Sequence, residues 1–90
     1  MKKIDGSNWL YNPWKRMGHN AFYRFYHYRA KDNTYERYLL IVRTSDKCYR
    51  CTTWKQYFGY EKSEIEMSSF RSFYHVRVYA KNLIGGELNW

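Results

Sequence analysis

Ninety residues with sixteen Lys or Arg against eight Asp or Glu carry a formal charge of +8. A chain this short buries only roughly 60–65% of the surface its unfolded form exposes, so it supports one domain with a small core and little room for a deep substrate cavity. Eleven Tyr, five Phe and four Trp make 22% of the chain aromatic, more rings than such a core can hide, and surplus Tyr and Trp at a surface suggest a contact face.

The excess charge is uneven. Residues 1–60 hold twelve basic and four acidic side chains, whereas residues 61–90 hold four of each. A basic first two thirds attracts polyanions such as nucleic acid, acidic proteins or anionic lipid. Ile4-Asp5-Gly6-Ser7-Asn8 lacks the apolar character of a signal peptide. The longest apolar run, Tyr38-Leu39-Leu40-Ile41-Val42, is far below the roughly 20 residues a membrane span needs. These features imply a cytoplasmic protein with no membrane partner, and two Cys are too few for a disulfide scaffold.

In chain order, residues 1–20 mix Gly, Asn, the single Pro13 and Trp without a period. They read as an irregular arm whose Trp9, Leu10, Tyr11 and Trp14 dock on a body formed by residues 21–90. Residues 21–30 are rich in strand-favouring rings, with Phe22, Arg24, Tyr26 and Tyr28 on one face and Tyr23, Phe25, His27 and Arg29 on the other. The cluster Lys31-Asp32-Asn33-Thr34 marks a turn. Residues 35–44 have an apolar centre on both faces and predict a central strand. A second turn at Ser45-Asp46-Lys47 leads to a third strand over residues 48–53, completing an antiparallel meander.

Two capping boxes follow. Thr53 with Gln56 predicts a helical turn over residues 54–58 that faces Trp54, Tyr57 and Phe58 inward and stops at Gly59. Ser63 with Glu66 predicts a helix to about Phe73, with Ile65, Ser69 and Phe73 on one face. Residues 74–80 alternate, Tyr74, Val76, Val78 and Ala80 inward, and predict a fourth strand that ends at Asn82-Leu83-Ile84-Gly85-Gly86. The expected fold is α+β: a small antiparallel sheet of about four strands, with one or two short helices between strands 3 and 4.

Sheet-borne rings interleaved with basic residues point to nucleic acid, because bases stack on exposed rings while Arg and Lys neutralise phosphates. The candidate phosphate contacts are Arg24, Arg29, Lys31, Arg37, Arg43, Lys47, Arg50 and Lys55, with Lys15 and Arg16 from the arm. Tyr23, Tyr26, Tyr28, Tyr49 and Trp54 are the candidate stacking rings, and the face of Tyr23, Phe25, His27 and Arg29 is extended by Arg77 and Tyr79. Little sequence preference is expected when charge sets affinity. An RNA-recognition motif is not implied, since Tyr23-Arg24-Phe25-Tyr26 lacks that family's glycine and the strand order differs. Residues 53–73, read as helix, glycine turn, helix, loosely resemble a helix-turn-helix, but Glu61, Glu64 and Glu66 at the start of the second helix would repel phosphate.

Cys48-Tyr49-Arg50-Cys51 is half of a zinc site, which His19, His27 or His75 would have to complete; on a regular strand the two thiols point to opposite faces. Small buried hydrophobes are the simpler reading of both. There is no Gly-rich phosphate loop, no Ser/His/Asp set and no metal-ligand cluster, so neither an enzyme nor a cofactor is expected. The expectation is a non-enzymatic nucleic-acid-binding domain. The alternative is a small inhibitor or adaptor whose Tyr/Arg face docks an acidic protein surface or another protein's nucleic-acid groove, since Tyr, Trp and Arg also dominate protein interfaces.

Overall fold

The computed structural model describes residues 2–4, 9–18, 20–44, 47–58 and 62–85, with the side chains of residues 62–64 left aside. Seven strands run in chain order: β1 (Lys2–Lys3), β2 (Trp9–Tyr11), β3 (Lys15–Arg16), β4 (Phe22–Arg29), β5 (Tyr35–Arg43), β6 (Tyr49–Tyr57) and β7 (Lys62–Phe70). One helix, α1 (Phe73–Ile84), follows them. All neighbouring strands are antiparallel, in the order β1-β2-β4-β5-β6-β7, and β3 also pairs with β4.

The long strands β4, β5 and β6 are built from aromatic and β-branched residues, the types that fit a pleated, half-buried surface. Their register is continuous from Phe22↔Arg43 to Arg29↔Glu36 and from Tyr35↔Tyr57 to Arg43↔Tyr49. The β4–β5 turn closes through Ala30 N–H to the Tyr35 carbonyl (3.0 Å) and Asn33 N–H to the Ala30 carbonyl (3.0 Å). Asn33 takes a left-handed φ of 58° there, a conformation Asn tolerates better than most residues. Asp32 Oδ1 accepts from the Thr34 N–H at 3.2 Å and from the Thr34 hydroxyl at 2.7 Å, the local bonding that makes Asp a turn residue.

Paired residues share a face of the sheet, and burial separates the two faces. Tyr26, Leu39, Ile41, Tyr49, Cys51 and Thr53 all lie on one face and are all buried. Val76, Ala80 and Ile84 of α1 close over that face, joined by Ile4 and Trp9, with Tyr79 and Leu83 at the margin. Their spacing of four residues places them in one line along the helix. Gly85 ends the helix with φ 76° and its N–H bonded to the Lys81 carbonyl at 2.8 Å, a left-handed cap that glycine adopts without steric cost.

Several sequence expectations are corrected. The sheet has seven strands rather than about four, and no helix lies between strands among the described residues. Residues 54–58 continue β6 as far as Tyr57, and the span expected as a helix from Ser63 is β7 up to Phe70. Both capping boxes are local signals, and they lose to the pairing of β6 with β5 on one side and β7 on the other. The helix-turn-helix likeness falls with them. Residues 74–80, expected as a strand, belong to α1, where Tyr74 is 68% exposed and Val78 40% exposed rather than inward. Residues 2–3, 9–11 and 15–16 of the expected irregular arm form strands. Three residues, Asn12-Pro13-Trp14, separate the β2 and β3 pairings on β4, where Arg24 and Phe25 separate them on β4 itself. Pro13, which has no N–H to give a ladder, sits at this irregularity. Gly59, Glu61, His19, Ser45, Asp46, Gly86 and the tail to Trp90, each part of a sequence reading, lie outside the described residues.

Candidate functional site: the uncovered sheet face

The face turned away from α1 is covered by no element among the described residues. Its side chains form cross-strand rows fixed by register. One row runs Leu10, His27, Tyr38, Trp54, and the next runs Phe25, Leu40, Thr52, Met67. Tyr23, Val42, Arg50 and Ser69 make the row at one end, with Lys15 beside Tyr23. Arg29, Glu36 and Gln56 make the row at the other.

The rings of the first row are stacked across three strands. His27 and Tyr38 lie 4.7 Å apart at 2°, and Tyr38 and Trp54 5.0 Å apart at 15°. Phe25 joins from the next row, 5.6 Å from Tyr38 and 6.3 Å from Trp54. These rings are half-buried although nothing described covers them, because they shield one another. Each such contact contributes about 0.5–1.5 kcal/mol beyond area burial.

Glu36 anchors one end of the ladder. Its Oε2 accepts from the Tyr38 hydroxyl, and its Oε1 accepts from Arg29 Nη2 at 2.7 Å and Nε at 3.0 Å, with His27 Nε2 3.4 Å away. The hydrogen bond from Tyr38, then the bonds from Arg29, hold the Glu36 carboxyl below the usual carboxylate range. Burial, reinforced by the bond to Glu36, pushes the Tyr38 hydroxyl up to about 12. The network holds Tyr38 and Arg29 to Glu36, and Arg50, Lys15 and Lys3 are exposed cations of this face outside it.

The sequence-derived site residues divide between the faces. Tyr23, Arg29, Arg50 and Trp54 are on the uncovered face, together with Phe25 and His27. Tyr26 and Tyr49 are in the core, and Tyr28 packs against it. Arg24 is 3% exposed, its guanidinium 4.5 Å from the Tyr11 ring centroid and 5.5 Å from that of Tyr26; it is a packed core residue, not a surface cation. Arg37, Arg43 and Lys55 are on the helix side, and the Lys55 ammonium lies 4.2 Å from the Tyr35 ring centroid and 5.0 Å from that of Tyr57. Lys31 and Lys47 are exposed in turns, and Arg77 is exposed and Tyr79 half-buried on α1, so neither of these two extends the platform.

Tyr38 is the residue that the sequence reading missed. It stands in the run Tyr38-Leu39-Leu40-Ile41-Val42, which in sequence is apolar on both faces and hides the ring among core residues. The alternation Tyr38, Leu40, Val42 against Leu39, Ile41 was present, and the turn at residues 31–34 carries it opposite His27.

The two cysteines form no disulfide, with Cys51 buried on the helix side and Cys48 just ahead of β6. Burial pushes the Cys51 thiol up to about 12, which favours the protonated thiol. No group of three or more His, Cys, Asp or Glu able to hold a metal ion occurs among the described residues. No described helix is long and apolar enough to cross a membrane. Comparison with protein-family models, curated proteins and solved structures gives no match.

Proposed function

We propose that the chain is a non-enzymatic module that binds single-stranded nucleic acid across the uncovered face of its sheet. The observation that carries this reading is the in-register ladder His27, Tyr38, Trp54 with Phe25 and Tyr23 beside it, open to solvent and bordered by Arg50, Lys15 and Lys3. Bases stack on such rings at about 1–3 kcal/mol each with little sequence preference, and nearby cations neutralise phosphates. A single strand fits better than a duplex, because the centre of the face offers rings and aliphatic side chains rather than phosphate contacts, and duplex bases have no free π-faces to stack.

The test is fluorescence anisotropy with labelled single-stranded DNA, RNA and duplex DNA across a salt series. Binding tighter than about 1 μM near 150 mM salt, single strands preferred, supports the reading. Trp54→Ala and Tyr23→Ala then weaken it about 5- to 100-fold each, while Arg77→Glu on the helix does not. Attraction that vanishes by about 150 mM salt means that +8 acts as bulk charge alone.

One observation favours a protein partner as the second reading. Met67 on this face is 75% exposed and Ile65 on the same strand 57%, and Leu40 and Val42 share the face, so an apolar centre with a charged rim is available for docking. A chain that docks an acidic protein there would show little nucleic-acid affinity at physiological salt and bind that one partner tightly.

A further inference from the structure

A second site lies at the end of the sheet where β4 starts and β5 ends. Phe22, Arg43 and Tyr49 form one cross-strand row on the helix side, and α1 begins at Phe73 with its ring 5.7 Å from that of Tyr49. The helix starts beside Tyr49 and leaves Phe22 and Arg43 of this row exposed. What remains is a hollow of about 390 Å³ lined by Trp14, Phe22, Arg43, Tyr49 and Phe73, within the size range of small-ligand sites. Phe22 and Phe73 are each 37% exposed there. Phe22 and Arg43 also wall a second hollow of about 230 Å³, completed by Asn20, Thr44 and Lys47.

The two compartments differ in chemistry. The first offers four rings and one guanidinium. The second offers an amide, a hydroxyl, an ammonium and the Phe22 ring and Arg43 guanidinium that it shares with the first. Asn20 and Lys47 both hold left-handed backbone, φ 56° and 61°, and for Lys this is an unfavourable conformation of the kind that gathers at binding sites. An aromatic slot adjoining a cationic polar hollow matches a planar base joined to a phosphate.

We infer that these adjoining hollows bind a nucleotide, with its base among Trp14, Phe22, Tyr49 and Phe73 and its phosphate on Arg43 and Lys47. Arg43 at the shared wall gives the phosphate a forked donor. The ligand is either a free mononucleotide or the phosphorylated end of a strand. The second source has a route: Tyr23, Val42 and Arg50 on the opposite face adjoin Phe22, Arg43 and Tyr49 in the chain, so a strand leaving the platform at that row meets the hollow at the sheet end. The site stands independently of the sheet-face reading.

The experiment is an amide chemical-shift titration with adenosine 5′-monophosphate, adenosine, inorganic phosphate and a 5′-phosphorylated short oligothymidylate. Adenosine 5′-monophosphate is expected to shift Phe22, Arg43, Thr44 and Tyr49, with adenosine or phosphate alone weaker by about tenfold. Arg43→Ala and Phe22→Ala each reduce that affinity by about tenfold, and Trp54→Ala on the other face leaves it unchanged. Should Phe22→Ala fail to fold, the exposed Arg43, changed to Ala or Lys, carries the test alone. Tighter binding by the oligothymidylate end identifies a strand as the source, and tighter binding by the mononucleotide identifies a free metabolite. No shift at these residues, or shifts unaffected by Arg43→Ala, overturns the inference. Oligothymidylate binding confined to Tyr38 and Trp54, with no adenosine 5′-monophosphate shift at the sheet end, does so while leaving the sheet-face reading intact, and mononucleotide binding without sheet-face binding does the reverse.

Discussion

Arg24 and Arg50 look alike in the sequence, both basic residues among rings, and the fold assigns them opposite duties. Arg50 is exposed on the uncovered face, opposite Val42 on one side and Ser69 on the other. On the proposed reading Arg50 contacts a phosphate, so Arg50→Glu removes that contact and adds a repelling charge. Affinity for single-stranded DNA is expected to fall by about tenfold, and the slope of log affinity against log salt by roughly 0.7, with thermal stability unchanged. Arg24 is 3% exposed against Tyr11 and Tyr26. Arg24→Ala deletes a packed stem and a buried cation–π contact at a cost of about 2–4 kcal/mol, which in a domain of this size lowers Tm by roughly 10–25 °C. Arg24→Met keeps most of the stem and should fold, so its affinity reports the charge alone and is expected to match the parent. Thermal melts by circular dichroism and anisotropy titrations on the three variants decide the matter. If Arg24→Met weakens DNA binding as much as Arg50→Glu does, the division into a packed and an open face is wrong.

Other consequences are more local. Cys51, 1% exposed with its thiol pushed up to about 12, should resist alkylation at mildly alkaline pH until the chain is unfolded, as mass spectrometry of labelled peptides would show. Lys47 holds φ 61°, so Lys47→Gly should raise stability by about 1 kcal/mol, seen as a Tm increase, while reducing nucleotide affinity at the sheet end. The Glu36 carboxyl titrates below its ordinary range in the folded chain. Its stabilising contribution is therefore present above the unfolded value of about 4.3 and is lost as pH falls through the lower folded value. Melting Glu36→Gln alongside the parent from neutral pH to about pH 3 should show a lower Tm near neutrality and a flatter acid limb.

How far the sequence could be read depended on which signals were local. The meander of β4, β5 and β6 was legible because ring-rich and β-branched runs were separated by turn chemistry, Lys31 to Thr34 and the region before Cys48, and because alternation along β4 places Tyr23, Phe25, His27 and Arg29 together. The second half was inverted for equally physical reasons. Thr53 with Gln56 and Ser63 with Glu66 have helix-capping form, yet the backbone at these positions is committed to ladders on both sides of β6, and only tertiary pairing could say so. Residues 74–80 alternate over seven residues, which mimics a strand. Adding Leu83 and Ile84 turns the pattern into Val76, Ala80, Ile84 beside Tyr79, Leu83, a helical stripe that stops at Gly85. The site was half legible. Charge and rings marked the sheet as basic and aromatic, but Arg24, Tyr26 and Tyr49 could be told from Arg50, Tyr23 and Trp54 only once α1 was known to cover one face.

The central claim is that single-stranded nucleic acid lies on the ring ladder, and the most direct measurement is a titration of isotope-labelled protein with a short oligothymidylate near 150 mM salt, followed at the Trp54 indole N–H and at every backbone amide. The account predicts saturable shifts at Tyr23, Phe25, His27, Tyr38, Arg50 and Trp54, with Tyr74 and Val78 on the exposed side of the helix unmoved. Shifts centred on the helix, or none at any saturating concentration, would contradict it.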